Sequence, residues 1–326
     1  MKATAKAPAN IAFIKYWGKH HDTLRLPLNS SISMNLTGAY TVTTVEFSPR
    51  YAEDSVELLK GTFSQKEIAR VVAGLTRIRE RAGKSEFAKV VTENSFPKGA
   101  GSAASASGFA ALAVAGFAAA GASLTERELT IFARMGSGSA CRSIPDGFVE
   151  WESGDSSETS VATSLHPSTY WDIRDALVIV DSGMKKVSTS EGMETVTSSP
   201  LLSARLAALP GRIERCRQAL SDRDFTALGE VTEEDCLDMH EVMRSQTPPL
   251  QYWNGTTRAI VQEVRRWRSE GLAVYFTIDA GPNVHVLYEG KNEQDVMKRL
   301  STLAGVETVI YNKAAAGTAL IDGHLF

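Results

Sequence analysis

Cysteine is scarce in this 326-residue chain, and its three thiols, Cys141, Cys216 and Cys236, are widely spaced and form no CxxC pair. That excludes a disulfide framework and a cysteine zinc site, and it predicts a reducing, cytoplasmic setting. Excess basic charge is missing too. Lys and Arg number 35 against 38 Asp and Glu, a formal net charge of -3, so there is no global field to gather nucleic acid or an anionic membrane. An anionic ligand must be held by local cations. Long apolar runs are also absent: IAFI near the start is cut short by Lys15, which rules out a secretory block there. The Ala-rich run at 103–120 contains serines and glycines and little Leu or Ile, so it is expected as a buried helix and not a membrane span. The six histidines show no HExxH spacing, no serine sits in a GxSxG elbow, and no GK[ST] closes a Walker A loop. A protein-held transition metal and hydrolase chemistry both fall away.

What is present is an ordinary globular composition, 43% apolar and 22% charged, in a chain long enough for one large α/β unit or two packed lobes. Alternating β-branched residues predict strands at 41–47 and 88–94, and apolar residues at helical spacing predict a helix over 65–84. DALVIVD at 175–181 reads as a buried strand, and the polar loop at 153–160 before it places a lobe boundary near 165–175. Helical patterns fill 198–221, 224–243 and 255–270. AVYFTID and NVHVLYE flank a tight AGPN turn, and a helix over 293–304 leads to the strand TVIYN.

Four stretches carry candidate chemistry. KYWGK groups Lys15, Tyr16 and Lys19 at the end of an apolar strand, which suits phosphate oxygens; the plainer reading is two solvated lysines beside a buried Tyr-Trp pair. FPKGAGSAASASGFAALA sets small residues and serines before a long helix, either an anion cradle of N–H groups or an ordinary Ser-capped core helix. GSGSACRSIPDGFVEW supplies Ser137, Ser139 and Arg142, the arginine needing either an anionic ligand or a structural ion pair. In TIDAGPNVHV, Asp279 ends a strand, placed to meet a substrate hydroxyl or to cap its own turn. His240 reads as a helix-packing residue.

Taken in order, NIAFIKYWGK, LPLNSSISMNL, FPKGAGSAASASGFAALA, GSGSACRSIPDGFVEW, SPLLSARL, TPPLQYW and FTIDAGPNVHV resemble the GHMP small-molecule kinases, and within them the mevalonate diphosphate decarboxylases. The resemblance runs from about residue 5 to 290. It implies an α+β GHMP fold: an N-terminal lobe (1–170) like ribosomal protein S5 domain 2, packed on a ferredoxin-like C-terminal lobe (171–326), with ATP between them. The implied reaction is ATP-dependent decarboxylation of 5-diphosphomevalonate to isopentenyl diphosphate through phosphorylation of the 3-hydroxyl. The same reaction on 5-phosphomevalonate is the alternative; a kinase that stops at the 3-phosphate and a ligand sensor without catalysis are further ones.

By matching position, Asp279 faces the 3-hydroxyl, Arg142 holds the C1 carboxylate and Lys15 steadies the aspartate. Tyr16, Lys19, Ser137, Ser139 and Arg25 line the substrate. The phosphate loop for ATP comprises Lys98, Gly99, Ala100, Gly101, Ser102, Ser105 and Ser107, with Ser105 on Mg²⁺. It departs from the family's GLxSSA wording at Ser102 and Ala104, and His20-His21 replace the usual basic residue after KYWGK. A homodimer is implied by the resemblance alone.

Overall fold

The computed structural model describes residues 1–97, 103–183 and 187–326. The first half runs through β1 (Lys2–Ile14), β2 (Lys19–His21), β3 (Leu26–Pro27), β4 (Ser31–Phe47), β5 (Ser55–Leu58), α1 (Gln65–Ala82), β6 (Ala88–Asn94), α2 (Ala103–Ala119), α3 (Glu126–Gly136), β7 (Phe148–Trp151) and β8 (Ala162–His166). The second half adds β9 (Ile173–Ile179), α4 (Thr189–Glu194), α5 (Leu202–Asp222), α6 (Phe225–Ser245), α7 (Gly255–Ser269), β10 (Val274–Thr277), β11 (Val284–Glu289), α8 (Glu293–Leu300), β12 (Thr308–Lys313) and β13 (Ala319–Leu320). Among the described residues the strands form a mixed seven-stranded sheet, β13-β1-β4-β6-β5 with β7 and β8 attached through β4. An antiparallel sheet of order β10-β11-β9-β12 and the small β2-β3 hairpin complete the α+β architecture.

The long central strands are apolar because they are covered on both sides. Residues 7–14 of β1 are all buried, packed by α2 and also by α5 and α6 from the second half, as expected of a strand with no solvent face. Pro8 lacks an N–H, and the β1–β4 ladder slips between Pro8 and Ala9, leaving residues 37–39 of β4 bulged. The bulge is used for docking: the Asn312 side chain accepts the N–H groups of Gly38 at 2.9 Å and Ala39 at 3.1 Å, tying the second sheet to β4. A side chain at Gly38 would put its Cβ 2.7 Å from the Tyr311 carbonyl oxygen. An apolar core then spans both halves, joining Ile11, Phe13 and Met34 to Leu177, Ile179, Leu220 and Val231.

Helix ends follow local signals. Ser64 and Glu67 form a capping box on α1, and Gly83 closes it with φ 63. Helix α3 lies outside the helices expected from periodicity, although Thr125 and Glu128 spell a capping box in its sequence. Two expected helices are shorter: α5 begins at Leu202, after a 3-10 turn over Val196–Ser198, and α8 stops at Leu300. The Ala-rich α2 packs against β1 and β4, and no described helix is long and apolar enough to cross a membrane.

Two glycines test this packing in opposite directions. In α6, a Cβ on Gly229 would stand 2.1 Å from the buried Tyr275 ring, whereas in α5 a Cβ on Gly211 would meet nothing within 4 Å. Gly→Ala gains about 1 kcal/mol of helix propensity at either site, and overpacking costs roughly 1–3 kcal/mol or more. Denaturant unfolding is therefore expected to find Gly211→Ala slightly more stable than the parent and Gly229→Ala clearly less stable.

Candidate active site

Lys15 lies one residue beyond β1, past a second ladder irregularity at Ala12/Ile14. Its side chain is only 1% exposed and its Nζ donates to Asp279 Oδ1 at 2.6 Å. Burying an ammonium without a partner costs several kcal/mol, so the carboxylate is a structural necessity for Lys15. Asp279 follows β10 at the mouth of the turn to β11 and keeps 24% of its side chain exposed. Burial pushes its carboxyl up, but Lys15, His285 and Arg142 together outweigh burial and hold it well below the usual carboxylate range. Asp279 is thus ionised and lines the cleft.

Arg142 belongs to a short buried 3-10 helix, Gly138–Ser143, and not to a loose small-residue loop. Its Nε donates to Ser33 Oγ at 3.0 Å, Nη1 to Ser31 Oγ at 2.6 Å and Nη2 to Asn10 Oδ1 at 3.2 Å. Among the described residues no carboxylate lies within ion-pair distance of it, so a structural ion pair is not what holds it. Burial lowers its pKa, and the guanidinium stays charged because its ordinary value is so high. A buried cation with neutral partners that lines a cavity is short of an anion. Its neighbour Cys141 is inert, its thiol pushed up to about 12 by burial.

One cleft of about 970 Å³ is lined by Lys15, Tyr16, Lys19, Arg25, Ser105, Ser137, Ser139, Arg142 and Asp279. These are all the expected site residues within the described segments except Ser107. Tyr16 packs edge-on against Trp151 at 4.7 Å, and Gly138 is needed there because a Cβ would come within 2.8 Å of the Tyr16 ring. Burial raises the Tyr16 phenol, which keeps it a donor. Lys19 is almost buried and pairs with Asp22. Arg25 holds a left-handed backbone, φ 50, and its Nε donates to the Met135 carbonyl at 3.0 Å.

Ser105, in the first turn of α2, lies 3.1 Å from Ser137 through their hydroxyls. Ser107 does not line the cleft; it is fully buried and its hydroxyl lies 2.6 Å from that of Thr41. Lys98, Gly99, Ala100, Gly101 and Ser102 fall outside the described residues.

Several residues in the cleft or behind it were not anticipated. Arg70 of α1 donates to the Gly136 carbonyl at 2.7 Å and stacks 4.9 Å from the Phe109 ring; burial and the charge of Arg25 bring its pKa down to about 10. Lys66 and Glu191 pair at 3.0 Å, linking α1 to α4. Ser31 and Ser33 had a readable signal: they recur at period two within a buried strand, which puts two hydroxyls on one face. Arg70 had none, since a basic residue on an amphipathic helix reads as solvated surface.

Fold and site together define an α+β protein of the GHMP class, with its charged groups gathered in one cleft. Family models for a diphosphomevalonate decarboxylase-like N-terminal domain and a mevalonate 5-diphosphate decarboxylase C-terminal domain match residues 7–162 and 176–319. The diphosphomevalonate decarboxylase of Candida albicans is 35% identical over 91% of this chain and 87% of its own. A mevalonate diphosphate decarboxylase structure from Staphylococcus aureus superposes with a TM-score of 0.93 at 37% identity, covering 98% of both chains. A structure described as MDDEF in complex with MVAPP, AMPPCP and magnesium gives 0.92 at 38% identity, covering 99% of both. The chain belongs to the mevalonate diphosphate decarboxylase family.

Next to Asp279, His240 of α6 is buried, its Nε2 lying 3.2 Å from both the Ile278 carbonyl oxygen and Trp253 Nε1. Burial brings its pKa down to about 3, so the native state holds it neutral while the unfolded chain protonates it near 6.5. The unfolded state therefore binds more protons between those values, and native stability falls as pH drops from about 6.5 toward 3. In His240→Gln, the unfolding free energy measured against pH is expected to lose that part of its slope.

Proposed function

We propose that the chain is an ATP-dependent carboxy-lyase that converts 5-diphosphomevalonate, with ATP, to isopentenyl diphosphate, ADP, phosphate and CO2. The observation that carries this reading is the pair of buried Lys15 and half-buried Asp279 opening onto the same cleft as Arg142, a buried cation with neutral partners. Asp279 orients the tertiary 3-hydroxyl for attack on the γ-phosphoryl of ATP. Held low by Lys15, it is a weak base, which suits a loose phosphoryl-transfer transition state that needs positioning more than early proton removal. When phosphate leaves the tertiary carbon, positive charge develops there and the same carboxylate stabilises it. Arg142 binds the C1 carboxylate and keeps the departing CO2 end in line.

Tyr16, Lys19, Arg25, Ser137 and Ser139 hold the rest of the substrate, and we add Arg70 to them. Neither Arg25 nor Arg70 pairs with a carboxylate among the described residues, so they bring two cations without an ion-pair partner to the cleft, which favours a diphosphate over a monophosphate. The residues present fit a magnesium nucleotide: Ser105 lines the cleft in the first turn of α2, and a single hydroxyl suffices because Mg²⁺ is ordinarily held largely by phosphates and water. Bound there, Mg²⁺ would neutralise charge on the triphosphate. Ser105, together with Lys98, Gly99, Ala100, Gly101 and Ser102, makes up the proposed nucleotide-binding stretch, and Ser105 is the residue that would supply a protein oxygen to the metal. We infer lobes of 1–170 and 171–326, with β13 lent back to the first sheet, a homodimer, and a cytoplasmic setting, which three buried free thiols support.

Assays of purified protein with ATP, Mg²⁺ and each phosphorylated mevalonate are expected to release CO2 with the diphosphate, one per ADP. A stable 3-phosphate without gas, or nucleotide binding without turnover, would overturn the reading. Asp279→Asn is expected to lower kcat by about 10²–10⁴-fold and leave substrate affinity within about tenfold. Arg70→Gln should raise KM for the diphosphate and change kcat little, as initial-rate kinetics on the two substrates will report.

A further inference from the structure

Lys15 follows a strand of the first sheet and Asp279 a strand of the second, so no single ladder fixes the distance between them. Both main chains are instead tied to α6. Asp235 of α6 is fully buried, and its Oδ2 accepts the main-chain N–H of Lys15 at 2.7 Å. The next residue, Cys236, accepts on Sγ the N–H of Ile278 at 3.2 Å, and Ile278 directly precedes Asp279. Consecutive helical residues point about 100° apart, so one turn of α6 reaches both chains. Arg205 of α5 completes the hold, pairing with Asp235 at 3.0 Å and donating to the Lys15 carbonyl at 3.4 Å, where Asn29 also donates at 2.9 Å.

A neutral acceptor would also satisfy a peptide N–H. Burying Asp235 and Arg205 at full charge makes their contribution to stability small or unfavourable, because desolvation opposes the attraction. What the carboxylate adds is a short, strong bond from a side chain whose own place is fixed by Arg205.

We propose that α6 sets the spacing of the reacting pair: Asp235 is a positioning residue that fixes the main chain of Lys15, and Cys236 fixes that of Asp279. The inference rests on the decarboxylase reading above. A misplacement of about 1 Å at a reacting group is worth up to 10²-fold in rate.

The test compares the full-length parent with Arg205→Met/Asp235→Leu, which removes the buried charges together, and with Asp235→Asn, whose amide oxygen still accepts the Lys15 N–H. In the double variant kcat is expected to fall about 10- to 100-fold, with KM for both substrates within about threefold, while Asp235→Asn keeps most of the parental kcat. The ¹³C carboxyl resonance of Asp279, assigned by its loss in Asp279→Asn, should titrate at higher pH in the double variant than in the parent. Parental kcat in the folded double variant, equal loss in Asp235→Asn, or an unchanged Asp279 titration would each overturn the proposal. If the double variant does not fold, Cys236→Val and Cys236→Ser decide: loss in the first with recovery in the second supports it, and parental kcat in Cys236→Val overturns it. A parent that releases no CO2 refutes the reaction itself, and the Asp279 titration still reports on positioning.

Discussion

The site depends on a salt bridge that stability alone does not explain. Two unit charges about 4 Å apart attract by about 4 kcal/mol at an effective dielectric of about 20, whereas taking an ammonium out of water costs several kcal/mol. Lys15 is desolvated and Asp279 keeps about a quarter of its side chain in solvent, which weakens the attraction further. The pair therefore comes near to breaking even, and an apolar pair would serve the core as well. Its value is electrostatic: a carboxylate locked in its ionised form, in a fixed direction, at the opening of a cleft.

The same principle extends along the cleft wall. Arg142 is surrounded by Ser31, Ser33 and Asn10, groups that orient a guanidinium without neutralising it. Arg25 and Arg70 donate to the carbonyls of Met135 and Gly136 at the C-terminal end of α3, where the helix dipole supplies only partial negative charge. Positive potential is thus held in place and left unspent for a polyanionic ligand. Such preorganisation is the main resource available to an enzyme that transfers a phosphoryl group.

Holding groups from two sheets to this tolerance requires that the halves be rigidly joined. The shared apolar core, the bulge of β4 docked on Asn312 and the buried Asp235–Arg205 pair act at different points along the junction. The bulge exists because Pro8 interrupts a ladder, so one local backbone constraint in β1 also serves the packing of the second sheet.

The strand at 88–94, the 41–47 part of β4 and the helices α1, α6 and α7 were legible because each rests on local patterning, whereas the grouping of Lys15, Arg142 and Asp279 followed only from the resemblance of their short motifs to a known family. Helix α3 has a legible cap in Thr125 and Glu128. Other features had no local signature. That Arg142 is embedded in a buried turn with neutral partners, that Arg70 lines a cleft, and that Ser107 is buried against Thr41 depend on which surfaces meet when distant segments pack. The sequence by itself determined the chemistry available and most of the elements carrying it, since propensity and periodicity act over a few residues. Only the tertiary structure decided which charges are paired, which are desolvated and which line the cleft, because those are properties of contacts between distant residues, such as Lys15 and Asp279, 264 positions apart.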